Sequence, residues 1–200
     1  SYATMAIASK GDVIIEGANP NQLRSFLAKL DEIGGRYEIA DYGIRFWYDQ
    51  PLKATDITTS PEPGFMTDWQ PLWTTMMTQA EGTSTVIEAV TQHRLAFTNQ
   101  LVEMGANITY FDPKPQNPVE FYDFKYPETT SYPHAVKIVG PTDFVGRKLT
   151  VPDLRGGATL VMAAIMGRGE SVIDNIELID RGYERFDERL RNLSANIERI

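Results

Sequence analysis

The run Thr85-Val86-Ile87-Glu88 follows Gly82, and Gly82 follows the apolar stretch Met76-Met77-Thr78-Gln79-Ala80. The same order of residues occurs twice more. Upstream, Met5-Ala6-Ile7-Ala8 leads through Gly11 to Val13-Ile14-Ile15-Glu16; downstream, Met162-Ala163-Ala164-Ile165 leads through Gly169 to Ser171-Val172-Ile173-Asp174. Each β-rich run is followed by a second helix, a helix stop and a run read as another short strand. The stops are Gly34, Gly105 and Ser194, and the runs after them are Tyr37-Glu38-Ile39, Asn107-Ile108-Thr109-Tyr110 and Asn196-Ile197-Glu198-Arg199-Ile200. Gly11 and Gly34 are as far apart as Gly82 and Gly105, and Gly169 and Ser194 are two residues further apart. Shared spacing with shared residue type marks an internal repeat, and alternating helix and strand within each unit marks an α/β fold.

Local chemistry supports these elements. Asn19 is placed to cap a helix that starts at Pro20, and Leu23, Phe26, Leu27, Leu30 and Ile33 fall on one helical face. Gly34 and Gly105 supply the left-handed residue that ends a helix; Ser194 in that place predicts mild strain or a different cap. Copy one continues through a turn at Asp41-Tyr42-Gly43 into Ile44-Arg45-Phe46-Trp47-Tyr48, a hairpin pattern, and a further strand is expected over Ala54 to Thr58. Copy two has matching runs at Ala135 to Ile138 and Lys148 to Val151. Before them stands Asp112 to Pro133, rich in prolines and aromatics, which predicts an inserted loop. Copy three ends at Ile200 with no hairpin.

The expected organisation is one domain over residues 1–200. Repeat one covers about 1–60, repeat two about 61–152 with an insertion at 112–133, and an incomplete repeat three about 153–200. Closing three such units into one body needs strands from elsewhere in a longer chain, or leaves open sheet edges.

Composition narrows the function. The chain has 42% hydrophobic residues, enough for a real core, and a net charge of −8, which argues against sequence-independent nucleic-acid binding. Absence of cysteine excludes disulfides, zinc-thiolate centres and a cysteine nucleophile within these residues. No metal site or cofactor is expected. No apolar run is long enough to cross a bilayer and Ser1-Tyr2-Ala3-Thr4-Met5 lacks the basic region of a signal peptide, so the expectation is a cytoplasmic protein without membrane contact.

Four stretches place polar residues at helix starts or strand-to-helix turns, where backbone N–H groups favour anions. In Pro63-Gly64-Phe65-Met66-Thr67-Asp68-Trp69-Gln70, Thr67-Asp68 is either a helix cap or the source of a general base, Asp68. In Val90-Thr91-Gln92-His93-Arg94, Arg94 is either a surface ion-pair partner or an anion clamp, and His93 is expected at the surface. Pro152-Asp153-Leu154-Arg155-Gly156-Gly157-Ala158 opens the helix of copy three. There Asp153 is a cap or a site residue, and two glycines weaken the helix unless something packs against its backbone. Ile179-Asp180-Arg181-Gly182-Tyr183-Glu184-Arg185 sets Arg181 where copy two has Arg94.

With these residues the chain resembles the UDP-N-acetylglucosamine enolpyruvyl transferases. The strongest matches are Asp153-Leu154-Arg155 before a small-residue helix, the run Ile179 to Arg185, and Asn196-Ile197-Glu198-Arg199. Phe65-Met66-Thr67-Asp68-Trp69-Gln70 is similar to the family's Phe-Pro-Thr-Asp-x-Gln motif with Met66 for Pro. Departures include Gln92-His93 for Glu-Asn and Leu95 for Phe. The resemblance covers nearly all of the chain outside the insertion.

The resemblance implies an inside-out α/β barrel of three βαβαββ units with its helices inward. It corresponds to the C-terminal part of a two-domain enzyme whose site lies in the cleft, so that these residues alone are expected to be inactive. It implies transfer of the enolpyruvyl group of phosphoenolpyruvate to the 3′-hydroxyl of UDP-N-acetylglucosamine, an early step of peptidoglycan precursor synthesis. Asp68 would orient and deprotonate the sugar hydroxyl, and the Val90 backbone would touch substrate. Arg94 and Arg181 would hold phosphoenolpyruvate or phosphate, and Asp153 and Arg155 would line the cleft and help it close. The partner implied is the N-terminal half, which carries a Lys-Asn pair and the reactive loop. Two other readings are a shikimate-3-phosphate enolpyruvyl transferase and a non-catalytic module that binds a nucleotide sugar or a protein.

Overall fold

A computed structural model describes residues 1–125 and 133–200. Chain order begins with α1 (Tyr2–Ala8), β1 (Asp12–Glu16), α2 (Arg24–Glu32), β2 (Arg36–Ala40), β3 (Gly43–Trp47) and β4 (Ile57–Thr58). It continues with α3 (Gln70–Met77), β5 (Gly82–Ile87), α4 (Thr98–Glu103), β6 (Asn107–Phe111), α5 (Pro118–Phe121), β7 (Ala135–Gly140) and β8 (Lys148–Thr150). The last elements are α6 (Leu154–Met166), β9 (Val172–Asp174), α7 (Glu177–Asp180) and α8 (Phe186–Asn192).

Three sheets form, in the orders β1-β3-β2, β4-β5-β7-β6 and β8-β9. In the first two, the strand after the glycine pairs antiparallel with the last strand of a two-strand unit: β1 with β3, and β5 with β7. The hairpin β2-β3 closes with Ala40 opposite Gly43, and β6 pairs with β7 in the corresponding way across the longer insertion. The parallel partner of β5 is β4, and β9 takes β8 in the same sense.

The helices that precede β5 and β9 are the centre of the molecule. Every residue of α3 is buried, as is the run Gly156 to Ala163 of α6, and α3 packs against both α1 and α6. A helix apolar on all sides cannot lie on a surface, and the all-round pattern of Met, Leu, Val and Ala in α6 fits that interior place. α2 is amphipathic instead, and its buried stripe of Phe26, Leu27 and Leu30, continued by Ile33, covers one side of the core.

The three helix stops share one backbone state: φ is +78° at Gly34, +113° at Gly105 and +71° at Ser194. Behind each, the next N–H reaches back to the helix, Gly35 to Leu30 O, Ala106 to Leu101 O and Ala195 to Leu190 O. Ser194 therefore keeps the same cap and carries the strain that glycine avoids.

Four expectations need correction. Asn19 caps only a short 3-10 turn, Pro20–Gln22, and the helix proper starts at Arg24, because Leu23 leaves helical geometry at φ −120° and ψ 15°. The strand expected over Ala54 to Thr58 is only Ile57–Thr58. Thr55 N–H is taken by Ser84 Oγ and Thr85 N–H by Asp56 Oδ1, so side chains replace the ladder there. The insertion contains the one-turn helix α5, and its residues 126–132 lie outside those described. Asn196 to Ile200 forms no strand; Ile197 O accepts from Arg191 Nε, and Arg199 pairs with Asp180. No helix of the described residues is long and apolar enough to cross a membrane.

Candidate active site

The segment before α3 is fixed from below by aromatic packing. Phe65 is buried, with its ring edge-on to Trp73 at 5.1 Å and to Trp69 at 5.5 Å, while Phe26 approaches both indoles at 5.7 Å. Ser25 Oγ donates to Gly64 O at 2.7 Å. This holds Met66-Thr67-Asp68 as a turn, with Trp69 N–H to Met66 O and Gln70 N–H to Thr67 O. Neither Thr67 nor Asp68 caps α3. Trp69 occupies the cap position in helical geometry, with no side-chain cap bond. The capping alternative for Asp68 is thereby removed, and its side chain is committed elsewhere.

Asp68 Oδ1 lies 2.5 Å from Arg155 Nε and 3.7 Å from Arg94 Nη1. Among the described residues no hydrogen bond to Asp68 Oδ2 is formed, so the carboxylate keeps one oxygen for another group. Arg94 is the most buried of the ion-paired arginines, with its side chain 14% exposed, and its Nη2 donates to Thr91 Oγ1 at 3.4 Å. His93, exposed, takes a left-handed φ of 58° just before Arg94. A reversal at that point lets the exposed imidazole and the half-buried guanidinium occupy neighbouring positions.

The α6 start differs from that of α3. Asp153 is extended, and its Oδ1 accepts from Arg155 N–H and Gly156 N–H, both at 2.9 Å: a side-chain N-cap. The two glycines answer the weak-helix question, because the backbone is closely packed there. A Cβ at Gly157 would stand 2.6 Å from Ile179 Cγ1 and 2.7 Å from Val151 Cγ1, and one at Gly156 would meet Pro152 and Phe97. Gly182 is equally tight against Leu154. These approaches dock the end of α7, and with it Arg181, onto the start of α6. Arg181 is exposed and has no ion-pair partner among the described residues.

The structure thus joins Asp68, Arg94 and Arg155 through one carboxylate oxygen. Asp153 stands two residues before Arg155 as the cap of α6, and Arg181 stands beside that helix start, outside the bonded cluster. Val90 N–H is taken by Glu88 Oε1 at 3.0 Å, and no hydrogen bond to the Val90 carbonyl forms among the described residues.

One residue of this site escaped the sequence reading. Glu88, 1% exposed, follows β5, and its carboxylate accepts from Thr59 Oγ1, Val90 N, Thr91 N and Thr67 Oγ1 at 2.8 to 3.0 Å. Burial pushes its carboxyl above the ordinary range, opposed by those same four donors. The only sequence signal was an acidic residue at the end of each glycine-led run. Glu16 and Asp174, at the matching places, are exposed, so residue type alone did not single out Glu88. Among the described residues no cluster of His, Asp or Glu is arranged to hold a metal ion.

Known proteins supply the wider frame. The family model described as EPSP synthase (3-phosphoshikimate 1-carboxyvinyltransferase) matches residues 1–190. The UDP-N-acetylglucosamine 1-carboxyvinyltransferase of Protochlamydia amoebophila is 39% identical over 201 aligned residues, covering 100% of this chain and 42% of that protein. The enzyme of the same name from Chlamydia trachomatis is 36% identical, covering 98% of this chain and 44% of its own length. The solved enolpyruvyl transferase NikO from Streptomyces tendae superposes with a TM-score of 0.78 at 22% identity, over 98% of this chain and 43% of NikO, which shows a shared fold. The chain spans less than half the length of these relatives. With most of its length matched by that model, and with an α/β architecture shared with a solved enolpyruvyl transferase, this chain belongs to the EPSP synthase family.

Proposed function

We propose that this chain is the C-terminal part of an enzyme that transfers the enolpyruvyl group of phosphoenolpyruvate to the 3′-hydroxyl of UDP-N-acetylglucosamine, supplying peptidoglycan precursors in the cytoplasm. The observation that carries the reading is the shared oxygen of Asp68: one carboxylate flanked by two guanidiniums, with no hydrogen bond to its second oxygen among the described residues. The named relatives supply the choice of acceptor.

The reaction makes two demands. An alcohol is a poor nucleophile and needs a base, and the enol phosphate of phosphoenolpyruvate needs a proton at C3 before C2 becomes electrophilic. Asp68 Oδ2 meets the first demand by accepting the proton of the sugar hydroxyl as its oxygen bonds to C2. The second falls to an acid on the opposite wall of the cleft, in the half of the enzyme outside this chain. Loss of phosphate from C2 and of a proton from C3 of the tetrahedral adduct then gives the enolpyruvyl ether. Arg94 and Arg181 hold the carboxylate or phosphate through charge-assisted hydrogen bonds, and the Val90 carbonyl contacts the sugar nucleotide. Arg155, carried on the capped start of α6, orients Asp68. Asp153 serves the site by fixing that helix start and helps the cleft close on substrate.

The architecture belongs to the same proposal. Units of about 1–60, 61–152 and 153–200 form an inside-out barrel, with α1, α3 and α6 as inner helices. The buried faces of α3 and α6 support it.

The deciding experiment uses the full-length protein with phosphoenolpyruvate and either UDP-N-acetylglucosamine or shikimate-3-phosphate, reading phosphate release. Release with the sugar nucleotide alone is expected. Release only with shikimate-3-phosphate would transfer the reading to the other acceptor, and release with neither would support the non-catalytic alternative.

A further inference from the structure

Asp68 and Arg94 come from segments far apart in sequence, on loops with little regular structure of their own. Loops of that kind fluctuate unless something ties them. Glu88 is where they meet. Its Oε2 accepts from Thr67 Oγ1 at 3.0 Å, and Thr67 immediately precedes Asp68. Its Oε1 accepts from Val90 N at 3.0 Å and Thr91 N at 2.9 Å, and Thr91 Oγ1 is in turn the acceptor for Arg94. A third arm reaches Thr59, whose Oγ1 donates to Oε1 and itself accepts from Ala89 N at 2.8 Å. All four groups facing the carboxylate are donors, which suits an acceptor-only side chain.

Burying a carboxylate is costly unless it is fully hydrogen-bonded, so a stability argument alone would favour an apolar residue here. The four bonds have another consequence: the side chain links two loops and the residue after β4 to the end of β5 at fixed distances.

We propose that Glu88 is a positioning residue, whose buried carboxylate holds the Thr67-Asp68 loop and the Val90-Thr91 loop as one unit and so sets Asp68 against the acceptor hydroxyl. The proposal rests on Asp68 as the base. Glu88 touches no substrate; it acts through Thr67 on one side and through the backbone of Val90 and Thr91 on the other.

The test compares Thr67→Val, Glu88→Gln and Glu88→Ala in the full-length protein, by turnover, KM for each substrate, and hydrogen exchange at the Val90 and Thr91 amides. Thr67→Val keeps the shape and cuts one arm. It is expected to lower turnover by roughly tenfold to a hundredfold, the effect of a misplacement of about 1 Å, with KM for phosphoenolpyruvate unchanged. Exchange at Val90 and Thr91 should stay as in the parent, since the Oε1 arm is intact. Glu88→Ala should speed that exchange by about tenfold or more as the shared acceptor of both N–H groups vanishes. Glu88→Gln, which can still accept there and can donate to Thr67, should restore slow exchange and most of the turnover. Parent-like turnover in Thr67→Val would overturn the proposal, and so would unchanged exchange in Glu88→Ala. Should Glu88→Ala fail to fold, the Thr67→Val result decides alone.

Failure of the underlying reading has a different signature. If Asp68→Asn keeps parent turnover, the base assignment falls, whereas the exchange measurement still decides whether Glu88 ties the loops. When Asp68 is the base, adding Thr67→Val to Asp68→Asn should cost little further. Full multiplication of the two losses would overturn the route through Asp68.

Discussion

Two aspartates stand just before the two central helices, and in sequence they look alike. Asp153 does what a residue in that place most often does: extended at φ −161°, it turns its carboxylate onto the first N–H groups of α6. Asp68 does not. Trp69 has already entered helical geometry as the cap of α3, so the Asp68 carboxylate has no local N–H to satisfy and goes to Arg155 and Arg94 instead. The difference separates support from chemistry. A carboxylate spent on its own helix is a structural part, and one held by two cations from other segments is available to a ligand.

The contrast is sharpest in Asp68→Asn. In the full-length protein turnover should fall by about 10²- to 10⁴-fold, the usual scale for a general base, while the melting temperature barely moves because no cap is lost. Steady-state kinetics beside thermal unfolding checks both halves. Parent turnover would leave Asp68 as no more than an ion-pair partner, and a large drop in melting temperature would make its role structural like that of Asp153.

The α6 side should respond through stability. Gly157→Ala forces a methyl group to within 2.6 Å of Ile179. The expected loss is about 1 to 3 kcal/mol, seen as a lower urea midpoint, because overpacking displaces the α7 turn that carries Arg181. A weaker affinity for phosphoenolpyruvate in the same variant would show that the docking of α7 positions Arg181. Asp153→Ala should cost less, about 1 kcal/mol, as a lost N-cap does, and Asp153→Asn should recover most of it. If Asp153→Asn kept stability yet lost turnover, Asp153 would have to be moved to the Asp68 side of the comparison.

How much of this was legible beforehand follows from which rules are local. Helix stops are local: a left-handed residue after an amphipathic run needs only its neighbours, and Gly34, Gly105 and Ser194 all take that state. The Asp41-Tyr42 turn of the hairpin was readable for the same reason. The cap at Asp153 was one of two readings kept open. What the Thr67-Asp68 pair does was not readable, because it depends on whether the next residue has entered the helix, and that is settled with the help of Phe26, which packs on Trp69 and Trp73 from a distant part of the chain. Glu88 was hidden by the same kind of nonlocality. Its equivalents Glu16 and Asp174 have the same chemistry in open positions, and only the arrival of Thr59 and Thr67 over β5 makes one of the three a buried hub. The shortened strand near Ala54 and the missing one at Asn196 to Ile200 share a cause. A short apolar run becomes a strand only if another backbone is in register beside it, and at these places side chains hold the chain instead.

The smallest expected effect concerns the acidic group shared by the two loops, and it tests the comparison from its electrostatic side. Burial holds the Glu88 carboxyl above its ordinary value, so in the window between the unfolded and folded values the folded state binds more protons than the unfolded state. Stability from this group is then present in acid and declines as pH rises through that window. Glu88→Gln has no proton to lose, so its stability relative to the parent should improve from about pH 4, where an unperturbed Glu is still largely protonated, to pH 7, where it would be ionised. Urea unfolding at the two pH values measures the difference. A parent that gained stability over Glu88→Gln as pH rose would mean that the four donors outweigh burial, and Glu88 would then be a net stabilising anion instead of a group kept at a cost to hold Asp68 in place.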